Sequence, residues 1–426
     1  MNPDNLKLLY VLLDGIGDLP HPSLGGSTPL EAAYTPNLDE LAMNGCMGKV
    51  ISVGKGIAPQ SDIAVFNMLG YNFEDGSYVG RGVIESIGSN IDFHDGDLAL
   101  RGNLATIDED LRLVDRRAGR HIVKEEAQAI CETLRRQITF TDKDASVVIE
   151  PTIAHRVIVR LRHSKVRLSE KITNTDPAYD KIGGIGIAKA PSDEMFMQKS
   201  TAQEQTESAK LSATLVNEFT EQVTKLLKNH AVNQERIKAG KSPMNAILLR
   251  DPGNRYPRIE PISKKYGVKV ACMVDMPVEI GISKVLDMKS FEAGGQHDYE
   301  QKATLAARII QNFQIVYVHI KGPDEFGHDG DAKGKTKNIE EIDKRFFGNL
   351  IDSIKIAEPT IVVSGDHSTP CINKAHSDDP IPLLISGKRA IKDNSARFTE
   401  SCASKGKLGL LMGINVLDTA IKMVSK

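Results

Sequence analysis

The sequence predicts a doubly wound α/β protein with a mostly parallel sheet, into which a smaller α+β module is inserted. Three observations carry this. Short continuous apolar runs at Leu8–Leu13, Ile315–Ile320 and 360–363 suit strands buried on both faces. Helical periodicity lies between such runs, at 299–312 (free of Gly and Pro) and again at 337–356. This strand–helix alternation occupies roughly the first 90 and the last 170 residues, whereas the middle reads differently.

Taken in order, Leu8–Leu13 is the first strand, and its six residues are far too few to span a membrane. A shorter candidate covers 49–53. From 98 the pattern changes. Strand-like segments at 98–107 and 111–114 flank the acidic turn Asp108-Glu109-Asp110, and 123–137 reads as a helix. Short strands are expected at 146–149, 155–161 and 166–168, a Gly-rich loop at 174–191, a long polar helix at 200–229 and a returning strand at 246–249. The inserted module is therefore placed at 96–258. The larger domain is expected from 1–95 together with 259–426, a division that suits the length of 426 residues.

Composition narrows the function classes. With 54 Lys+Arg against 56 Asp+Glu the net charge is -2, so no basic excess marks a nucleic-acid or anionic-membrane binder. Five scattered cysteines without a CxxC pair argue against a disulfide framework and for a reducing, cytoplasmic setting. The expected partner is a small molecule.

The chemistry lies in the residues just beyond the apolar runs. After the first come Asp14-Gly15-Ile16-Gly17-Asp18. After the second comes KGPDEFGHDG, with Asp324 and His328. After the third comes GDHSTP, with Asp366 and His367, then His376 nine residues later. Ligands of open α/β sheets gather beyond the carboxyl ends of strands. A lone Asp there is ordinarily a cap or turn former, but three runs each delivering Asp or His form a constellation. Asp324 and His328, at i and i+4, share one face of a helical turn begun at Pro323. Carboxylates and imidazoles without thiolate suit Mn²⁺ or Zn²⁺. Six ligand candidates exceed one four-coordinate ion and suit two ions about 3.5–4 Å apart. Asp378 and Asp379 read as solvent-facing turn residues. Ser61, in Ala58-Pro59-Gln60-Ser61-Asp62, stands at the predicted start of a helix, where free N–H groups favour negative charge. A divalent ion beside such a serine makes it a nucleophile without a His partner. No G-x-S-x-G elbow surrounds it, and no R-H-G motif occurs.

With these residues in place, the chain resembles the alkaline phosphatase superfamily, and within it the archaeal-type, 2,3-bisphosphoglycerate-independent phosphoglycerate mutases. The resemblance runs through LLDGIGD (12–18), STPLEAAYTPNLDELA (27–42), the serine segment 58–70, GRGVIESIG (80–88), RGNLATID (101–108), KGPDEFGHDG (321–330), GDHSTPC (365–371) and KAHSDDPIPLL (374–384). It implies an alkaline-phosphatase-like fold with a cap domain. It implies one ion on Asp324, His328 and His376, and a second on Asp14, Ser61, Asp366 and His367. The ions expected are Mn²⁺, with Zn²⁺ or Co²⁺ as alternatives, and Ser61 is the phosphate acceptor. For the substrate the cap would use Arg101, Arg117, Arg120 and Arg250, with Asn103 and Asp115 beside them. Asp115 and His155 are both open as the group that moves protons on glycerate. The activity implied is interconversion of 3- and 2-phosphoglycerate in glycolysis and gluconeogenesis. The alternative is a phosphatase, phosphonate hydrolase or phosphopentomutase on the same metal motifs.

Overall fold

The computed structural model describes residues 6–73, 77–119, 121–182, 185–188, 194–354 and 358–424. The chain divides into two compact units, the first made of Met1–Asn72, Ile259–Asp275 and Ser283–Lys426, the second of Phe73–Arg258 and Met276–Ile282. In chain order the strands are β1 (Leu8–Leu13), β2 (Gly45–Ile51), β3 (Leu98–Ile107), β4 (Leu113–Asp115), β5 (Ala145–Pro151), β6 (Arg156–His163), β7 (Tyr179–Ile182), β8 (Ile185–Ala188), β9 (Ala246–Gly253), β10 (Val270–Val274), β11 (Lys289–Glu292), β12 (Ile315–Ile320), β13 (Thr360–Gly365), β14 (Ile381–Ser386) and β15 (Gly409–Met412).

The first unit is built on an eight-stranded sheet of order β11-β10-β12-β1-β13-β14-β2-β15. Strand β14 runs against both of its neighbours, and every other pairing is parallel, so the predicted α/β class holds. All residues of β1, β12 and β13 are buried, as continuous apolar runs require. Their register matters most for the site. Leu13 pairs with Ile320 on one side and with Gly365 on the other. Three strands therefore end in one row, and Asp14, Lys321 and Asp366 are the residues that come next.

The second unit has a sheet of order β4-β3-β6-β5, in which β9 also pairs β3, and its own apolar core under the helices Lys124–Gln137 and Glu207–Leu227. Arg101 on β3 pairs with Arg250 on β9.

Several segments differ from expectation. The fourth apolar strand lies at Gly45–Ile51, earlier than 49–53, because Ile51 is the last residue to find a partner, in β15. Residues 166–168 form no strand. The chain turns after His163, whose Nδ1 accepts from Lys165 N (3.2 Å) and Val166 N (3.0 Å) and peels it off the sheet. The long helix starts at Glu207, where Thr206 caps it, and not at 200. Ser200 is held instead by Asn217, at 2.8 and 2.9 Å. The stretch 174–191 contains the hairpin β7–β8 where a loop was expected, and parts of it lie outside the described residues. The helix expected over 337–356 starts at Ala332 and slips into a π turn at Asp343–Gly348. There the Asp343 carboxylate accepts from Leu38 N (2.8 Å) and Asn37 N (3.2 Å), capping the helix Pro36–Met43.

One ion pair pins the loops that leave β1 and β13. Lys335, wholly buried, donates to Asp18 Oδ2 (2.8 Å), Thr369 O (3.0 Å) and Gly17 O (3.2 Å). Asp18 Oδ1 accepts from Cys371 N at 3.0 Å and Leu19 N at 2.8 Å. Lys335→Met, which removes one partner of a buried pair, is expected to destabilise the fold by about 3–5 kcal/mol, read as a lower urea midpoint.

A second buried carboxyl sets a pH dependence. Glu400 Oε2 accepts from Thr28 Oγ1 at 2.8 Å, while Oε1 is buried without a hydrogen-bond partner. Burial raises this group from 4.5 to about 7, with Glu31 adding to the rise. The folded value exceeds the unfolded one, so the stabilisation is complete below about pH 4.5 and is lost as pH climbs towards 7. Glu400→Gln should flatten this slope, measured as the urea midpoint between pH 4.5 and 7.

Candidate active site

Ser61 opens the helix Ser61–Met68, and the seven residues after it are all buried. The serine itself is half-buried and faces His367, its Oγ 3.2 Å from Nε2. Around that contact stand two triads. In the buried one, Asp14, Asp366 and His367 converge; in the half-buried one, Asp324, His328 and His376.

In the buried triad, His367 Nε2 lies 3.4 Å from Asp14 Oδ1 and 3.3 Å from Asp366 Oδ2. Asp366 Oδ1 accepts from the backbone N–H of Gly15 and of His367, each at 3.0 Å, so Oδ2 is left facing His367 and, at 3.5 Å, His319. Gly15 has φ +63°, and a Cβ there would meet Asp324 and Thr369. A side chain is thus excluded where the two loops touch. In the other triad, His376 Nε2 is 3.3 Å and His328 Nε2 3.6 Å from Asp324 Oδ1. The two Nε2 atoms are 3.2 Å apart. Each Nδ1 meets a carbonyl, Lys374 O at 3.1 Å for His328 and Pro59 O at 2.7 Å for His376. A carbonyl can only accept, so both Nδ1 atoms carry hydrogen and both Nε2 lone pairs point inward.

The electrostatics ask for positive charge. Asp14, Asp324 and Asp366 cluster near one ammonium, Lys321, which is 2.9 Å from Asp14 Oδ2. Burial lifts the Asp14 carboxyl to about 7 against the pull of Lys321, and Asp366 and Asp324 push it the same way as burial does. Burial opposes ionisation of Asp366 and Asp324 too. Even so, both stand below the usual carboxylate range, with Lys321 among the groups that pull Asp366 down. Burial keeps the His367 imidazole neutral, down to about 3. Asp14 Oδ1 is buried with no hydrogen-bond partner. Inward lone pairs, excess carboxylate and an orphaned oxygen are the donor set of divalent cations, and these residues could hold them.

A further His–carboxylate cluster, Asp142, Asp144 and His163, does not fit a cation. His163 Nδ1 accepts two backbone N–H groups, so Nε2 carries the hydrogen and donates to Asp142 Oδ2 (3.1 Å). Asp378 and Asp379 are half-buried, outside any turn, and both are hydrogen-bonded: Asp378 accepts from Gly56 N (2.6 Å), Asp379 from Ser377 Oγ (2.7 Å). They are not the solvent-facing residues that sequence suggested.

The arginines gather in the second unit. Arg101 is 3.4 Å from Glu85, which also takes Arg81 at 2.7 Å. Arg250 and Arg116 share Asp176 Oδ2, at 3.0 and 3.2 Å, and both lie over the Tyr179 ring. His155 is driven down to about 2 by burial and then by Arg156, Arg117, Arg101 and Arg250 around it, and its buried Nδ1 has no hydrogen-bond partner. Asn103 is buried and reaches Arg116 O at 3.4 Å. Asp115 accepts from Arg117 N (2.7 Å) and Gly119 N (2.9 Å), so it holds the turn that presents Arg117. Arg120 lies outside the described residues. Sequence reasoning passed over Arg81, Arg116, Arg156, Thr369 and Lys321. A signal existed for two of them: Arg116 adjoins Asp115 and Arg117, and Lys321 comes directly after a strand, as Asp14 and Asp366 do.

An α/β sheet whose parallel strands deliver carboxylates and imidazoles to a half-buried serine defines a class of cation-assisted group-transfer proteins. The comparisons narrow it. The family model of the 2,3-bisphosphoglycerate-independent phosphoglycerate mutases matches residues 42–233. A protein of that name from Aeropyrum pernix is 39% identical, over 96% of this chain and 97% of its own. One from Methanopyrus kandleri is 34% identical over 97% and 95%. Among solved structures, PH0037 from Pyrococcus horikoshii superposes with a TM-score of 0.77 at 28% identity, covering 99% of this chain and 97% of that one. The cofactor-independent phosphoglycerate mutase of Thermoplasma acidophilum gives 0.61 at 27%, covering 98% and 100%. The chain belongs to the 2,3-bisphosphoglycerate-independent phosphoglycerate mutase family. No helix among the described residues is long and apolar enough to cross a membrane.

Proposed function

We propose that this protein interconverts 3-phosphoglycerate and 2-phosphoglycerate by way of a phosphoserine at Ser61, without a bisphosphoglycerate activator. The observation that carries the reading is the approach of Ser61 Oγ to His367 Nε2 (3.2 Å) between two convergent carboxylate–imidazole triads, in a chain of this family. Asp14, Asp366 and His367, with Ser61, would hold one divalent ion, and Asp324, His328 and His376 a second. The carboxylate–imidazole donor set favours Mn²⁺, with Zn²⁺ or Co²⁺ as alternatives. Bound there, such ions lower the pKa of the serine hydroxyl and neutralise the phosphoryl group in transfer.

The chain's own residues do the rest. Ser61 Oγ bonds to phosphorus as the bond from phosphorus to the glycerate 3-oxygen breaks. The 2-hydroxyl of the same glycerate then attacks phospho-Ser61 and regenerates the serine. Between the steps glycerate must stay bound, and the carboxylate is its one permanent charge. Arg101, Arg117 and Arg250, with Arg120 and Asn103, supply the chemistry to hold it, since guanidinium pairs with carboxylate through two parallel hydrogen bonds. Of the two candidates for moving protons on glycerate, His155 fits better. It is neutral and its Nδ1 has no hydrogen-bond partner, whereas both Asp115 oxygens cap a turn. The second unit then acts as the substrate-binding cap, and the setting is the cytoplasm.

An enolase-coupled assay on 3-phosphoglycerate with Mn²⁺ and no 2,3-bisphosphoglycerate should show turnover, and exhaustive chelation should abolish it. Activity that survives chelation would remove the metal reading. Ser61→Ala should lose essentially all turnover while its circular dichroism stays that of the wild type. Mass spectrometry of wild-type protein incubated with substrate should find phosphate on Ser61, and phosphate on a histidine would refute the assignment. Arg250→Ala should lower isomerisation and raise release of inorganic phosphate relative to it, because glycerate that leaves early cannot take the phosphoryl group back, and water attacks phosphorus and breaks its bond to Ser61 Oγ instead. A removed partner of a buried charge pair costs on the order of 3–5 kcal/mol. Both rates measured on one sample decide it, and an unchanged ratio places the carboxylate anchor on another arginine.

A further inference from the structure

Thr369 lies between the two triads and belongs to neither. It is wholly buried, and each of its polar atoms is engaged. Its N–H donates to Gly17 O at 3.0 Å and its carbonyl accepts from Lys335 Nζ at 3.0 Å. Its Oγ1 lies 2.7 Å from Asp324 Oδ1 and 3.1 Å from His367 Nδ1. The space is tight as well. A Cβ on Gly15 would sit 2.6 Å from this oxygen, and one on Gly327 2.8 Å from the threonine methyl. The hydroxyl thus sits between these two partners.

A hydroxyl has a single proton to give. Asp324, as a carboxylate, can only accept, so the proton goes there. Towards His367 the same oxygen must then accept, which requires hydrogen on Nδ1. That leaves the Nε2 lone pair facing Asp14 Oδ1, Asp366 Oδ2 and Ser61 Oγ, at 3.4, 3.3 and 3.2 Å. We infer that Thr369 is a positioning residue whose one hydroxyl fixes the tautomer of His367 in the first triad and the orientation of Asp324 in the second, so that both triads present lone pairs to cations together. The inference rests on the metal reading given above. It goes beyond it by making one non-ligating side chain common to both sites.

The expected effect depends on the group that replaces the hydroxyl. Valine keeps the shape but offers His367 Nδ1 nothing, so the ring is free to carry its hydrogen on Nε2 and turn a donor towards the cation. Asp324 Oδ1 loses the hydroxyl that donates to it. Serine keeps the hydroxyl and loses only the methyl. Outer-shell partners of this kind typically change metal affinity 10–100-fold.

The test compares wild type, Thr369→Val and Thr369→Ser as metal-stripped full-length proteins. Calorimetric titration with Mn²⁺ should show affinity about 10–100-fold lower in the valine variant and close to wild type in the serine variant. Imidazole ¹⁵N spectra of the metal-stripped, histidine-labelled proteins should show His367 with hydrogen on Nδ1 in wild type and serine, and loss of that state in valine. Equal Mn²⁺ affinity in all three, or equal loss in both variants, overturns the inference, the latter by showing that the methyl matters and not the hydroxyl. Should the valine protein fail to fold, a wild-type spectrum with hydrogen on Nε2 of His367 overturns it by itself. A wild type that takes up no Mn²⁺ sinks the metal reading instead, and the tautomer spectrum still decides the role of Thr369.

Discussion

The buried Lys335–Asp18 pair is the interaction on which the geometry of the first unit's site rests. The ligand-bearing loops after β1 and β13 have few regular backbone partners, since each leaves the sheet where the ladder ends. Lys335 Nζ reaches a carbonyl in each, Gly17 O and Thr369 O, and Asp18 returns the contact through Cys371 N. One ammonium on the helix Ala332–Ile342 thus braces two loops whose spacing the β1–β13 register and the Thr369 N to Gly17 O bond begin to set. The pair is not a cheap source of stability, because an ion costs several kcal/mol to bury and its attraction repays this only when geometry and extra hydrogen bonds are good. Here Lys335 makes three contacts and Asp18 accepts from three donors, so the charges are fully engaged. What the arrangement secures is position, which any binding or catalytic constellation needs to within fractions of an ångström.

The legible part of the site was the part whose signal is local. Asp14, Asp324, Asp366 and His367 each come within a few residues of a buried apolar run, so strand periodicity alone brought them to one sheet edge. His376 needed the extra fact that β14 returns antiparallel beside β13. Lys321 follows a strand as Asp14 and Asp366 do, but its residue type hid it, and Thr369 and Lys335 carry no such signal. A lysine in sequence reads as solvent-facing, and only the partner that the fold brings to it, Asp14 or Asp18, explains its burial. The fold divides in the same way. Long apolar strands were found with their ends nearly right. The π turn at Asp343–Gly348 and the shift of β2 were missed because distant contacts, with Leu38 and with β15, decide them. The segment 166–168 has strand-like composition, yet two backbone bonds to His163 override it.

The second unit poses a different physical problem, since it packs several guanidiniums together around buried carboxylates. Arg81, Arg101, Arg116 and Arg250 face Glu85, Asp176 and, at 3.7 Å from Arg250, Asp251. Arg117 and Arg156 add to the field at His155. Burial and then the charge of Arg81 lower Arg101, which shows the strain of packing like charges together. Perturbed groups of this kind gather where ligands bind.

The two units therefore carry opposite electrostatic deficits, and each deficit points to its own ligand. In the first, three carboxylates and inward imidazole lone pairs would suit cations; in the second, clustered arginines would suit an anion. A phosphatase needs only the first, because the phosphoryl group is all it must hold. A mutase must also retain a dephosphorylated three-carbon acid that has lost its two phosphate charges. Retention then falls to a carboxylate worth a single charge, and a single surface ion pair in water contributes about 1 kcal/mol or less. Burial of the arginines raises the value of that one contact, because the guanidiniums have already left water and a carboxylate restores part of what they lost. On this argument the cost of burying Arg101 and Arg250 is met in the folded protein by Glu85 and Asp176, with Asp251 beside them. A cluster of buried guanidiniums of this kind suits a mutase, which must hold a carboxylate, better than a phosphatase.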